Sequence, residues 1–294
     1  MAIHDACGER CRRVSGGGLA AEGRRPGTDR FAGVADKELW KVEGPTTTVE
    51  PSARWVRVRA GDTVVADTRR AVLLRWYGPG RMPTYCIPSA DVRTDLLHPS
   101  ASQPGPDRIT VAHDLVLGTG APIEAAAFRF DAPADPALAA LDDRWTFTWD
   151  GRLSWWEEAQ ELAVHARDTR SRVDAVPSER QVRVERDGEV LAESSRPVAV
   201  FETTLPTRWY FPMEDVRTEL LEPSDTLTRC PYKGTASYYT VRAGGRLHRD
   251  LAWTYRDPIP EIPPIKGLVA FFDERVDLFI DGEPQDRPRS PWSH

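Results

Sequence analysis

The chain has 294 residues, 40% of them hydrophobic and 29% charged, enough for about two packed domains and against global disorder. Its formal net charge of −6 argues against a nucleic-acid binder that works by neutralising phosphates. No apolar run approaches the ~20 residues of a membrane-spanning helix, so no membrane partner is expected.

Residues 1–50 read as a flexible N-terminal extension. Ser15-Gly16-Gly17-Gly18 and Glu22-Gly23-Arg24-Arg25-Pro26-Gly27 lack periodicity, and Met1 to Arg13 has no apolar stretch of the signal-peptide kind. The expected location is therefore cytoplasmic, with reduced thiols. The cysteines are Cys7, Cys11, Cys86 and Cys230, without a CxxC pair, so no metal site is expected; no cofactor is expected either.

From Pro51 onward the chain repeats itself. Pro51-Ser52-Ala53-Arg54-Trp55-Val56-Arg57-Val58 matches Pro177-Ser178-Glu179-Arg180-Gln181-Val182-Arg183-Val184. Pro88-Ser89-Ala90-Asp91-Val92-Arg93 matches Pro212-Met213-Glu214-Asp215-Val216-Arg217, and Ala127-Phe128-x-Phe130 matches Ala252-Trp253-x-Tyr255. The order is kept throughout. The reading is a first domain over 51–160, a linker over 161–176, a second domain over 177–284 and a tail over 285–294, forming a pseudo-dimer within one chain.

Each copy reads as β structure. Val56 and Val58 face Val64 and Val65 across Ala60-Gly61-Asp62, and Val182 and Val184 face Val190 and Leu191 across Arg186-Asp187-Gly188. The chain has no asparagine, so Gly and Asp must supply the turns that need φ > 0. Further strands are expected near 198–201, 209–211, 237–241, 268–272 and 276–280. A helical turn over 214–221, stopped by Pro223, is expected as well. Short strands with few helices predict an all-β fold.

The second copy carries a cassette, Cys230-Pro231-Tyr232-Lys233-Gly234, where the first reads Ser102-Gln103-Pro104-Gly105. The first copy also has Phe128 and Phe130 in place of Trp253 and Tyr255, a loss of two polar tips. That asymmetry points to a working copy beside a scaffold. Lysine is scarce, at Lys37, Lys41, Lys233 and Lys266, in a chain that otherwise uses arginine, which singles out Lys233.

Three residues are candidates for chemistry. Cys230 is a nucleophile if a neighbouring cation lowers its pKa, or else a structural thiol. Lys233 is an anion binder or Schiff-base former, or else a solvated loop lysine. Glu202 is a base or hydrogen-bond acceptor, or else the ion-pair partner of Arg208 or Arg217. Tyr232, Tyr238, Trp209, Trp253 and Tyr255 are candidates to line a ligand site, or else to fill a core. Arg217 is a further ligand-binding candidate. Because Asp215 and Arg217 recur as Asp91 and Arg93 in the copy without the cassette, a capping and ion-pair role suits them too.

Trp209-Tyr210-Phe211-Pro212-Met213-Glu214-Asp215-Val216-Arg217, the Cys230–Tyr238 run and Leu251-Ala252-Trp253-Thr254-Tyr255 resemble the DUF 427 family, a family of unknown function. The resemblance spans the second copy and is weaker in the first. It implies two tandem β-tent-like domains of short antiparallel strands, a topology shared with methionine sulfoxide reductase B and the drug-binding domain of cereblon. The nucleotidyltransferase-like label sometimes attached to the family is not expected to apply, because no Gly-Ser loop with paired acidic residues is present. The expected function is binding of a small molecule of unidentified kind, with catalysis left open, at one site in the second copy. The alternative is a non-catalytic protein-interaction or scaffold module whose aromatics are core.

Overall fold

The computed structural model describes residues 47–77, 81–101 and 110–290. Most of the proposed extension, including Cys7, Cys11 and Trp40, and the first copy's 102–109 segment lie outside the described residues. The chain divides into two compact units, one ending at Ala166 and the other starting at Arg167.

Unit one contains β1 (Thr48–Pro51), β2 (Val56–Ala60), β3 (Thr63–Thr68), β4 (Val72–Arg75), β5 (Thr84–Pro88), β6 (Leu97–Pro99), β7 (Thr110–Leu115), β8 (Ile123–Phe130), β9 (Arg144–Phe147), β10 (Ser154–Glu157) and β11 (Gln160–Leu162). They form a seven-stranded sheet, β1-β4-β5-β9-β8-β7-β6, and a four-stranded sheet, β11-β10-β2-β3. Unit two contains β12 (Val173–Pro177), β13 (Val182–Arg186), β14 (Glu189–Ser194), β15 (Val198–Glu202), β16 (Arg208–Phe211), β17 (Leu221–Cys230), β18 (Gly234–Ala243), β19 (Arg246–Thr254), β20 (Val269–Phe271), β21 (Asp277–Ile280) and β22 (Glu283–Pro284). Its sheets follow β12-β15-β16-β20-β19-β18-β17 and β14-β13-β21-β22. The fold is all-β, in two tandem halves.

Two details differ from the sequence reading. β1 and β12 lie at or before the prolines that align the repeats, and β12 runs through the stretch read as linker. Each is an edge strand, paired with β4 or β15, and an edge strand can end in proline because its outward N–H needs no partner. The expected helical turn over 214–221 is a pair of 3-10 turns, Met213–Asp215 and Thr218–Leu220. Pro223 does not stop it. Pro223 lies inside β17, an edge strand, where the pairing register shifts.

Both hairpin predictions hold as β2–β3 and β13–β14. Asp187 and Gly188 take φ of 52° and 80°, the paired positive values that a two-residue hairpin turn requires.

Period-2 alternation gives each seven-stranded sheet two apolar faces. In unit two, Trp209 and Phe211 join Val182, Val184, Leu191, Val241, Leu251, Val269 and Phe271 in the main core. Tyr210, between them in sequence, turns to the other face with Val200, Ala236, Trp253, Tyr255 and Ala270. There Ile262 and Ile265, at the 3-10 turn Pro263–Ile265, cover it. Unit one repeats the plan. Its main core includes Val56, Val58, Tyr85, Ile87, Phe147 and Trp155, and a second cluster joins Val72, Leu74, Trp76, Cys86 and Phe130 to Leu138 and Leu141.

Candidate functional site

The candidate site lies on this second face of unit two. β17 ends at Cys230 and β18 begins at Gly234, with Cys230 and Gly234 paired, so Pro231, Tyr232 and Lys233 form the hairpin turn. A segment after β19 packs over the turn. The Ile259 N–H donates to the Lys233 carbonyl at 3.1 Å, and Gly234 bridges to Pro258. Gly234 has φ of +105°, and a Cβ there would stand 3.4 Å from the Asp257 carbonyl oxygen and the Ile259 nitrogen. Glycine is therefore required by conformation, while an added methyl would reach van der Waals contact with this backbone.

The turn aims Lys233 inward. The residue is only 8% exposed, and its ammonium contacts the Glu202 carboxylate at the end of β15. Glu202 thus pairs with neither of the arginines considered from sequence. Arg208 is taken up by Asp273 at 3.2 Å and Glu274 at 2.5 Å, and Arg217 pairs with Glu219. Lys233 is equally not a solvated loop lysine. Burial works against its charge, but the Glu202 carboxylate in contact with it keeps its pKa above the ordinary lysine value. Burial pushes the Cys230 thiol up, with Lys233 only partly opposing it, so the sulfur is protonated at neutral pH.

Tyrosines and Trp253 complete the cluster. The Trp253 indole N–H donates to the Tyr210 hydroxyl at 3.1 Å, and the Tyr238 hydroxyl bonds the Thr228 hydroxyl at 2.9 Å. Tyr210 is pushed up to about 12 and Tyr255 well above its ordinary value, both by burial first. Tyr255 is 5% exposed, and among the described residues its hydroxyl makes no hydrogen bond. Trp253 stands 4.5 Å from the Phe272 ring, which stacks at 18° to Tyr238, making an aromatic wall. Glu202, Cys230 and Tyr238 keep partial exposure.

The structure thus brings together Cys230, Lys233, Glu202, Tyr238, Trp253 and Tyr255. It does not bring in the others. Trp209 packs in the main core, on the opposite face. The Tyr232 hydroxyl turns away to accept the Asp168 N–H at 2.6 Å. Arg217 is half-exposed beside Glu219. Asp215 does not cap the 3-10 turn. It accepts a hydrogen bond from Ser194 at 2.7 Å and pairs with Arg196, as Asp91 does with Thr68 and Arg70 in unit one. Tyr210 was missed by sequence. Its signal is the alternation along Val198, Val200 and Glu202, because Val198 pairs with Tyr210 in register.

Register also identifies the unit-one counterparts. Val72 pairs with Cys86 where Val198 pairs with Tyr210, and Ala112 pairs with Phe128 where Tyr238 pairs with Trp253. Trp76, 6.3 Å from Phe130, takes the Glu202 position. Among the described residues, the same frame holds Trp76, Cys86 and Phe130 in one unit and an ion pair, a thiol and phenols in the other.

The architecture is a tandem pair of homologous all-β units, one of them with a polar cluster on its second sheet face. The family described as "Domain of unknown function (DUF427)" matches residues 48–158 and 174–282, which together exceed half of the chain. The chain belongs to that family. No curated protein matches it. Among the described residues, no helix is long and apolar enough to cross a membrane.

Proposed function

We propose that the protein binds a small molecule at the Glu202–Lys233–Tyr255 cluster of unit two, and that unit one is its structural counterpart. One observation carries this reading. Two copies of one fold face the same design problem, and unit one solves it with an apolar cluster of Leu74, Trp76, Cys86, Phe130, Leu138 and Leu141. Unit two buries charges and phenols at the equivalent place. A buried ion pair is at best about neutral relative to well-packed hydrophobic side chains, so stability alone does not favour the exchange. Convergence of perturbed ionisable groups is what marks a binding site.

Binding is favoured over covalent catalysis. Lys233 is held protonated by Glu202, and Cys230 remains a thiol, so neither is a ready nucleophile. The free thiols Cys86 and Cys230 suit a reducing compartment, the cytoplasm. A thermal-shift screen of small polar molecules on the full chain tests the reading. Molecules that stabilise the wild type but neither Glu202→Gln nor Lys233→Met support it. A screen whose stabilising molecules all act equally on the wild type and both variants overturns it.

A further inference from the structure

We infer that the site takes an uncharged molecule bearing a carbonyl-type acceptor, rather than a carboxylate, a phosphate or a cation. This inference rests on the proposed binding role of the cluster.

Charge is the first ground. The Lys233 ammonium and the Glu202 carboxylate touch, and each side chain is almost entirely enclosed, at 11% and 13% exposure. In such a place each charge is already matched. An anion entering beside the pair would be drawn to Lys233 and repelled by Glu202 at nearly equal range. A cation would meet the reverse. Either would leave its own water for no net attraction, and a charge buried without a partner is costly. The remaining polar groups, Cys230, Tyr210, Tyr238 and Tyr255, are neutral at neutral pH because burial raises all four. Arg208, 5.9 Å from the Trp253 ring, is taken up by Asp273 and Glu274.

The hydroxyl of Tyr255 is the second ground. It is a donor on a side chain 5% exposed, with no hydrogen-bond partner among the described residues, and so it remains available to a ligand acceptor. Tyr210 accepts from Trp253, so its own O–H also remains to donate. The phenol O–H groups of Tyr255 and Tyr210 thus stand beside a charge-matched pair, which suits a carbonyl oxygen. The tilted and stacked rings of Trp253, Phe272 and Tyr238 supply an apolar side to the cluster for the non-polar part of such a molecule.

Benzamide, benzoate and benzamidinium share one shape and differ in charge. Titrating each into the full chain by ligand-observed NMR tests the inference. In the wild type, benzamide should bind about tenfold tighter than either charged probe. Tyr255→Phe should weaken benzamide about fivefold. Glu202→Gln leaves Lys233 unmatched and should move the preference to benzoate, while Lys233→Met should move it to benzamidinium. The double variant Glu202→Gln/Lys233→Met is again neutral and should return the preference to benzamide, which separates charge effects from damage to the fold. Wild type preferring benzoate or benzamidinium, with that binding lost in the variants, overturns the inference and leaves the binding site standing. No probe binding to the wild type or to any variant overturns the site together with the inference.

Discussion

Lys233 is enclosed, with its ammonium against Glu202, and this contact governs what a substitution there does. Lys233→Ala leaves a carboxylate buried without its partner, so it should lower stability by roughly 3–5 kcal/mol in urea denaturation, while Glu202→Gln/Lys233→Met should recover most of the loss. Lysine scarcity marked Lys233 as unusual, but its partner lies 31 residues away on another strand, and no spacing rule connects a strand end with a hairpin turn. The choice of Trp209 over Tyr210 failed for a related reason. Neighbours in a strand face opposite ways, and Trp209-Tyr210-Phe211 is apolar enough to be read in either phase. A second residue-scale expectation concerns Asp273. Asp273 and Glu274 share one guanidinium, that of Arg208, and the wholly buried Asp273 is pushed up to about 7, first by burial and despite Arg208. A carboxylate raised above its unfolded value near 3.9 holds its proton longer in the folded state, so stability falls as pH rises between about 4 and 7. Denaturation curves across that range should show wild type losing stability relative to Asp273→Asn; parallel curves would show that Asp273 is ionised throughout.

The β17–β18 hairpin is the element that builds the site. Both strands run ten residues, longer than the short strands expected, and they carry the cassette at their tip. Gly234→Ala should cost about 1–3 kcal/mol, because φ of +105° strains any side chain and the added methyl would abut Asp257 and Ile259. Gly245→Ala is the control. Its φ is also positive, at +72°, but a Cβ there meets nothing within 4 Å, so its cost should be smaller. Chemical denaturation of both variants checks the ordering, and equal losses would mean that the larger φ at Gly234 and its contact with 257–259 add nothing. Hairpins were legible from alternating valines around Gly-Asp and Asp-Gly turns because both signals are local. The 3-10 turns were not, because Pro223 reads as a helix stop unless the edge position of β17 is known.

At the scale of the molecule, the duplication was readable because two copies of one sequence expose their shared frame, and their differences pointed at the second copy. The ends of the units were harder to place. Pro51 and Pro177 align the repeats, yet each closes an edge strand that belongs to its sheet. The stretch from 167 to 177 therefore matters to unit two. β12 pairs with β15 from Val173 to Pro177, against the strand that ends at Glu202. Val173 and Ala175 pack on the second core, and the Asp168 N–H meets the Tyr232 hydroxyl. A fragment of residues 167–294 should unfold cooperatively on its own. A fragment of residues 177–294 keeps the main core but strips the outer edge of β15 and uncovers Val200 and Tyr210. It should melt lower and should associate, because an unpaired strand edge is a template for another chain. Thermal melts with light scattering on both fragments check this. Equal melting and no association would mean that β12 is dispensable and that the boundary at 177 is the right one.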